Sequence, residues 1–186
     1  MNDPLKELPD NLPVPQDDGA CDHLMGMTLP ALALPSTAGR EVGLVEASQG
    51  TTVFFFYPRT GRPGVEIPES WNAIPGARGC TPHSCGYRDR FDDFRQRRIA
   101  VYGVSSQEPE YQRELVQRTT LPYEILSDAQ FRLTDALRLP TFVFEGVRLI
   151  TRLAFVARQG KIVKVFYPVF PPDRNAEVVL KWLRQA

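Results

Sequence analysis

Two of the chain's three cysteines, Cys80 and Cys85, stand five positions apart in GCTPHSCGYRDRF, residues 79–91. Thr81 can cap a helix here and Pro82 suits its first turn, with Tyr87, Phe91 and Phe94 following at spacings of four and three. The peptide before Pro82 disfavours helical geometry at Thr81, so Cys80 falls at or just before the first turn. A sulfur there faces backbone N–H groups without helical partners, and that end of the macrodipole favours an anion, the reactive thiolate. Five positions along a regular helix separate Cα atoms by roughly 8 to 9 Å, whereas a disulfide rarely tolerates more than about 7 Å. Joining the two sulfurs therefore requires the first turn to unwind, which Gly79, Pro82 and Gly86 make less costly. Such a pair is suited to switching rather than stapling.

Other chemistries fit the same residues. Cysteines often serve as small hydrophobes on the buried face of a helix. Cys80, His83 and Cys85, joined by Cys21 or His23, could form a zinc site, although the spacing matches no familiar structural-zinc pattern. An iron–sulfur cluster usually takes four cysteine ligands where this chain has three, and the C-x-x-C of a dithiol exchanger is absent.

The bulk composition narrows the setting. At 186 residues and 42% hydrophobic, the chain can bury one domain's core without disulfide staples. Lys plus Arg and Asp plus Glu balance at 22 each, so no basic field recruits nucleic acid or an anionic membrane. The opening MNDPLKELPDNLPVPQDDGA lacks a basic n-region and an apolar h-region, and no apolar run reaches the roughly 18 residues of a membrane span. A soluble, cytoplasmic protein is expected, in a reducing compartment that keeps thiols available.

The elements that must position Cys80 and Cys85 follow from periodicity. Residues 1–18 are rich in proline and acid and read as an N-terminal arm, leaving 19–186 as one domain. Short extended pieces come at 29–44, and TTVFFFYP (51–58) reads as a fully buried strand ending at Pro58. Residues 59–79 show neither helical nor strand periodicity and form a long loop delivering the chain to Cys80, with Trp71 and Ile74 as its apolar anchors or as the apolar wall of a site. Then strands at 99–106 and 123–126 alternate with helices at 109–118 and 127–137, the latter opened by a capping-box pattern from Ser127 to Gln130. Two strands around Gln159-Gly160 (153–167) and an amphipathic helix (176–185) close the chain. The alternation gives an α/β fold with a mixed sheet covered on both faces by helices.

With these elements in place, Phe56-Tyr57-Pro58 closing a buried strand, Gly79-Cys80-Thr81 followed by Cys85, then Arg88-Asp89 and Phe91, resembles the peroxiredoxins, specifically their Q or bacterioferritin-comigratory group. Arg152-Leu-Ala-Phe-Val with Gly160 is similar to a later strand of that family, and the likeness covers about residues 19–185. The resemblance implies a thioredoxin-like fold and an atypical two-cysteine peroxidase working without metal or organic cofactor. It implies that Cys80 is the peroxidatic cysteine, forming a sulfenic acid, and Cys85 the resolving one, the two joining in an intramolecular disulfide. Arg152 is then the cation that stabilises thiolate and peroxide, and a thioredoxin- or glutaredoxin-type reductant resets the pair. The substrates are hydrogen peroxide and organic hydroperoxides, and the protein a monomer or weak homodimer.

The chain departs from the family pattern at three places. Where the family carries Thr or Ser three residues before the peroxidatic cysteine, this chain has Ala77. The usual proline lies about seven residues before that cysteine, but Pro58 lies 22 before Cys80, which makes 59–79 an insertion. Thr60 supplies the missing hydroxyl if the insertion folds back. Position 83, often Gln or Glu, is His83, expected to face solvent unless it tunes the thiols. Cys21 reads as a spare, exposed or half-buried thiol, His23 as structural, the arginines at 88, 90, 95, 97 and 98 as a solvated helix face, and 166–175 as a structural cover. Two other functions use the same residues: a peroxide-sensing relay protein without efficient turnover, and a metal-binding thioredoxin-like protein.

Overall fold

The computed structural model describes residue 5 and residues 7–186. Its elements in chain order are β1 (Ala33–Pro35), β2 (Glu41–Gly43), α1 (Leu44–Ala47), β3 (Thr51–Phe56), α2 (Glu69–Asn72), α3 (Cys80–Asp89), α4 (Phe91–Gln96), β4 (Ile99–Ser105) and α5 (Pro109–Thr119). There follow β5 (Ile125–Ser127), α6 (Arg132–Leu137), β6 (Thr141–Phe144), β7 (Val147–Ile150), β8 (Leu153–Arg158), β9 (Lys161–Phe166) and α7 (Asn175–Leu183).

The central sheet has five strands in the order β5-β4-β3-β8-β9. β3 pairs in parallel with β4 and antiparallel with β8, so its backbone donors and acceptors are met on both edges. It is also covered on both faces, which is why its sequence is a continuous apolar run rather than an alternation. Phe54 and Phe56 enter one core with Leu44 of α1 and Leu133 and Leu137 of α6. Val53, Phe55 and Tyr57 enter the other, with Tyr87 of α3, Phe94 of α4, Leu115 of α5 and Val179 of α7. Helices thus cover both faces of a mixed sheet, as the alternation of elements predicts.

One close approach fixes α3 onto the sheet. Phe55 stacks on Tyr87 at 4.2 Å between ring centroids, and across the sheet a Cβ added at Gly103 would stand 2.9 Å from the Phe55 ring. Glycine at 103 leaves room for the ring that seats the helix.

Several local expectations change. Ser127 belongs to β5, paired with Ser105, so the capping box from Ser127 to Gln130 does not form and α6 starts at Arg132. Asp128 takes the capping role, its carboxylate accepting from the Leu133 and Thr134 amides at 3.1 and 2.8 Å. Residues 141–150, left unassigned by periodicity, form the β6–β7 hairpin, turning at Glu145 and Gly146 with φ of +49° and +76°. The loop 59–79 contains the short α2, and Trp71 there is buried with Ile67, Ile74, Phe142, Phe144 and Leu149. The described part of the N-terminal segment lies against this loop: Leu5 reaches Gly61, Leu8 reaches Gly79, and Arg78 Nη2 donates to the Glu7 carbonyl at 3.3 Å.

Candidate active site

Cys80 is the first residue of α3, and Gly79, rather than Thr81, is its N-cap. The Gly79 carbonyl accepts from the His83 amide at 2.9 Å, which places the cap two residues before Thr81. Only glycine suits the position: φ is +95°, and a Cβ would stand 2.6 Å from both Leu8 and Pro172 side-chain carbons. Cys80 is 4% exposed, and its thiol donates to the Ala77 carbonyl at 3.5 Å.

The charged side chain of the site arrives from the turn between β7 and β8. Arg152 is 2% exposed and donates from all three of its guanidinium nitrogens. Nε meets the Gly76 carbonyl at 3.1 Å, while Nη2 meets the carbonyls of Ala77 and Arg78 at 3.1 Å each and the Cys80 sulfur at 3.2 Å. Nη1 meets His83 Nδ1 at 2.8 Å. Among the described residues no carboxylate forms an ion pair with Arg152. A buried cation costs several kcal/mol unless it is compensated, and the sulfur is the one group in contact that can carry the opposite charge.

His83 corrects the expectation of a solvent-facing side chain: it is fully buried. The helix places residue 83 one turn after the N-cap on the face that meets Phe55, with ring centroids 4.8 Å apart. A guanidinium only donates, so Nδ1 is the acceptor and the ring proton sits on Nε2, which donates to Asn175 Oδ1 at 3.0 Å. Burial pulls His83 protonation well below the usual range, and the Arg152 charge adds to that, so the imidazole is neutral. The Tyr87 hydroxyl donates to the same Asn175 oxygen at 2.6 Å.

A cavity of about 620 Å³ opens above Cys80 and Thr81, with Thr60, Trp71, Arg78 and Tyr111 in its walls. Thr60 does fold back into it, 2% exposed, with Oγ1 3.2 Å from Gln107 Oε1. Gln107 also accepts from the Thr60 amide at 2.9 Å and donates to its carbonyl at 3.2 Å, and Tyr111 donates to that carbonyl at 3.0 Å. Ala77, at the position where the family carries a hydroxyl, is 1% exposed and contributes only its carbonyl.

Cys85 is not in this cavity. It is half-buried and lines a different recess with Pro82, Arg88, Asp173 and Glu177. No disulfide joins the two cysteines, which lie on one unbroken helix. Cys21 is buried rather than exposed or half-buried: it belongs to the core that holds Phe54 and Phe56, at 4% exposure, and burial, then Asp18, Asp17 and Asp22, pushes its thiol up to about 12. His23 is structural, 2.9 Å from the Leu137 carbonyl. Arg88 pairs with Asp89, Arg90 with Glu177 and Arg95 with Asp92 on the surface. Among the described residues no His, Cys, Asp and Glu cluster could hold a metal ion, and no helix is long and apolar enough to cross a membrane.

Sequence reasoning missed Asn175 and Gln107. Asn175 lies at the end of an aromatic and proline-rich stretch with no pattern to single it out, and Gln107 meets Thr60 only through a contact 47 residues long.

A thiol at a helix start, held against a buried arginine at the end of the inner strands of a helix-flanked mixed sheet, defines a thiol redox protein of thioredoxin-like fold. The Redoxin family model matches residues 24–180, and the chain belongs to that family, among its peroxiredoxins of the Bcp and Q group. Peroxiredoxin Bcp of Escherichia coli K12 is 26% identical over 164 residues, covering 86% of this chain and 95% of that protein. The chloroplastic peroxiredoxin Q of Gentiana triflora is 25% identical over 161 residues, covering 87% and 67%. Among solved structures, peroxidoxin BcpB of Mycobacterium tuberculosis superposes with a TM-score of 0.70 at 26% identity, over 87% of this chain and 96% of that one. Peroxiredoxin Q of Xanthomonas campestris, at 18% identity, shares the fold with a TM-score of 0.67 over 94% and 97%. Peroxiredoxins are thiol peroxidases acting on hydroperoxides, and that is the enzyme class of this chain.

Proposed function

We propose that Cys80 is the peroxidatic and Cys85 the resolving cysteine of an atypical two-cysteine peroxidase, recycled in a reducing, cytoplasmic compartment by a thioredoxin- or glutaredoxin-type dithiol. The observation that carries the reading is the buried Arg152 with Nη2 3.2 Å from the Cys80 sulfur and no carboxylate ion pair among the described residues. The Cys80 thiolate attacks one oxygen of the hydroperoxide, an S–O bond forms, the O–O bond breaks, and water or an alcohol leaves after taking up a proton. Arg152 bears on the charge that develops there. The Cys80 sulfenic acid then condenses with the Cys85 thiol, releasing water and forming the disulfide, and the reductant returns two electrons and two protons. The insertion 59–79 brings Thr60 and Trp71 to the cavity above Cys80, a volume that suits organic hydroperoxides as well as hydrogen peroxide.

The test is one equivalent of hydrogen peroxide on reduced protein, followed by thiol blocking and non-reducing peptide mapping. A Cys80–Cys85 disulfide is expected within the first time points. Cys80→Ser abolishes peroxide consumption, and Cys85→Ser forms one sulfenic acid without normal recycling. Full turnover in Cys80→Ser sinks the assignment, and oxidation once without turnover on any dithiol reductant makes the protein a peroxide sensor.

A further inference from the structure

A disulfide between Cys80 and Cys85 cannot form on α3 as it stands, because the helix is continuous from Cys80 to Asp89 and holds their Cα atoms roughly 8 to 9 Å apart. Whatever keeps α3 wound therefore sets how long an oxidised Cys80 waits for Cys85. The helix is clamped along one side by the segment before α7. A Cβ at Gly86 would stand 2.5 Å from the Asp173 carbonyl oxygen, and one at Gly79 would stand 2.6 Å from Pro172.

The polar part of the clamp converges on a single atom. Asn175 Oδ1 accepts from His83 Nε2 at 3.0 Å and from the Tyr87 hydroxyl at 2.6 Å. The two donors are four positions apart on α3, so one oxygen spans a full turn of the helix. His83 in turn meets Arg152, which meets the Cys80 sulfur. An asparagine at a helix start commonly spends its side chain on its own helix, but α7 has no side-chain cap, and this Asn175, 4% exposed, faces α3 instead.

We propose that Asn175 is a latch of the peroxidase cycle: a positioning residue that holds α3 wound through His83 and Tyr87 while peroxide is attacked, and whose release gates the resolving disulfide. The inference rests on the Cys80–Cys85 pairing proposed above. The sulfenic acid has two fates. In the opened helix it condenses with the Cys85 thiol, giving a disulfide and water. In the closed helix a second hydroperoxide oxidises it to the sulfinic acid and is itself reduced to an alcohol or water. The latch sets the ratio of the two, and with it the peroxide concentration at which the enzyme is inactivated.

The experiment compares wild type, Asn175→Ala, Asn175→Asp, Tyr87→Phe and the Asn175→Ala/Tyr87→Phe double variant. Stopped-flow mixing with hydrogen peroxide gives the oxidation step, and acid-quenched mass spectrometry gives disulfide formation and the sulfinic fraction at excess peroxide. In Asn175→Ala, resolution is expected to accelerate about tenfold, as loss of two buried hydrogen bonds allows. The sulfinic fraction drops in proportion, and the oxidation step changes by less than about threefold. Asn175→Asp, which keeps an acceptor oxygen, restores slow resolution relative to Asn175→Ala. Tyr87→Phe leaves no acceptor unpaired, so it reads the same latch if Asn175→Ala folds poorly, and the double variant goes no further than Asn175→Ala. Unchanged or slower resolution in both Asn175→Ala and Tyr87→Phe, with the disulfide still forming in wild type, overturns the latch. Absence of the disulfide in wild type overturns the pairing itself and is read separately.

Discussion

Nη2 of Arg152 stands 3.2 Å from the sulfur of Cys80 although the two residues are 72 positions apart. The same nitrogen and its neighbour Nε hold the carbonyls of Gly76, Ala77 and Arg78, so one side chain both charges the site and ties down the loop that leads into α3. Arg152→Met therefore loses charge and loop together, and oxidation of Cys80 by hydrogen peroxide is expected to slow by about 10² to 10³. Arg152→Lys keeps the charge but brings three donors to a site that uses a planar fork, and falls between the two. Stopped-flow oxidation rates decide it; a Met variant within twofold of wild type removes Arg152 from the chemistry.

His83 predicts a pH dependence of stability. Unfolded, it titrates near 6.5; folded, burial and Arg152 hold its protonation well below that. Between the two values only the unfolded chain binds the proton. Stability is thus fully present above about pH 6.5 and falls as pH drops, by up to about 1.4 kcal/mol per pH unit, until the folded imidazole itself protonates. Urea unfolding from pH 7 to 5 should show this slope in wild type and a correspondingly flatter one in His83→Gln. Equal slopes would mean that His83 is not held neutral.

The contrast between Cys80 and His83 shows where sequence reading succeeds. Cys80 was legible because its placement depends on local chemistry: a glycine, a following proline and a helical repeat, all between Gly79 and Phe94. β3 was legible because a strand buried on both faces must be apolar throughout. His83 was not, since its burial depends on Asn175, 92 residues away, and on Arg152, and nothing in PHSC marks the inward face of so short a helix turn. The Asp128 cap on α6 hid behind a better-known pattern at Ser127, because pairing of β5 with β4 claims Ser127 first. Tertiary pairing overrode the local rule there.

Thr60 tests whether the insertion restores a lost hydroxyl. Thr60→Val keeps the shape and the two main-chain contacts with Gln107, and removes only Oγ1. If that hydroxyl contacts peroxide, the oxidation rate falls about tenfold, the order expected for one buried hydrogen bond, and Thr60→Ser recovers it. Identical rates for Val and Ser would leave Thr60 as packing alone.

Cys21 is expected to be inert. It is 4% exposed, and burial first, then Asp18, Asp17 and Asp22, raise its thiol to about 12, so almost no thiolate exists at pH 8. Iodoacetamide at that pH should label Cys21 only at the rate of global unfolding, and Cys21→Ala should consume peroxide as wild type does. Labelling of Cys21 in the folded protein, or loss of turnover in the variant, would return it to the cycle.

Trp71 joins the loop's packing to the cavity above Cys80. It is 5% exposed, packs edge-on to Phe144 at 5.0 Å between centroids, carries the Arg59 guanidinium 4.7 Å above its ring, and lines the cavity that holds Cys80. A bulky apolar hydroperoxide gains from that ring, whereas hydrogen peroxide is too small and polar to use it. Trp71→Phe preserves the apolar cluster while trimming the wall. KM for cumene hydroperoxide should then rise by about fivefold to tenfold, which corresponds to about 1 kcal/mol of lost apolar contact, with KM for hydrogen peroxide changed by less than about twofold. A parallel loss on both peroxides would assign Trp71 to holding the loop and take away the apolar wall as a reason for the insertion.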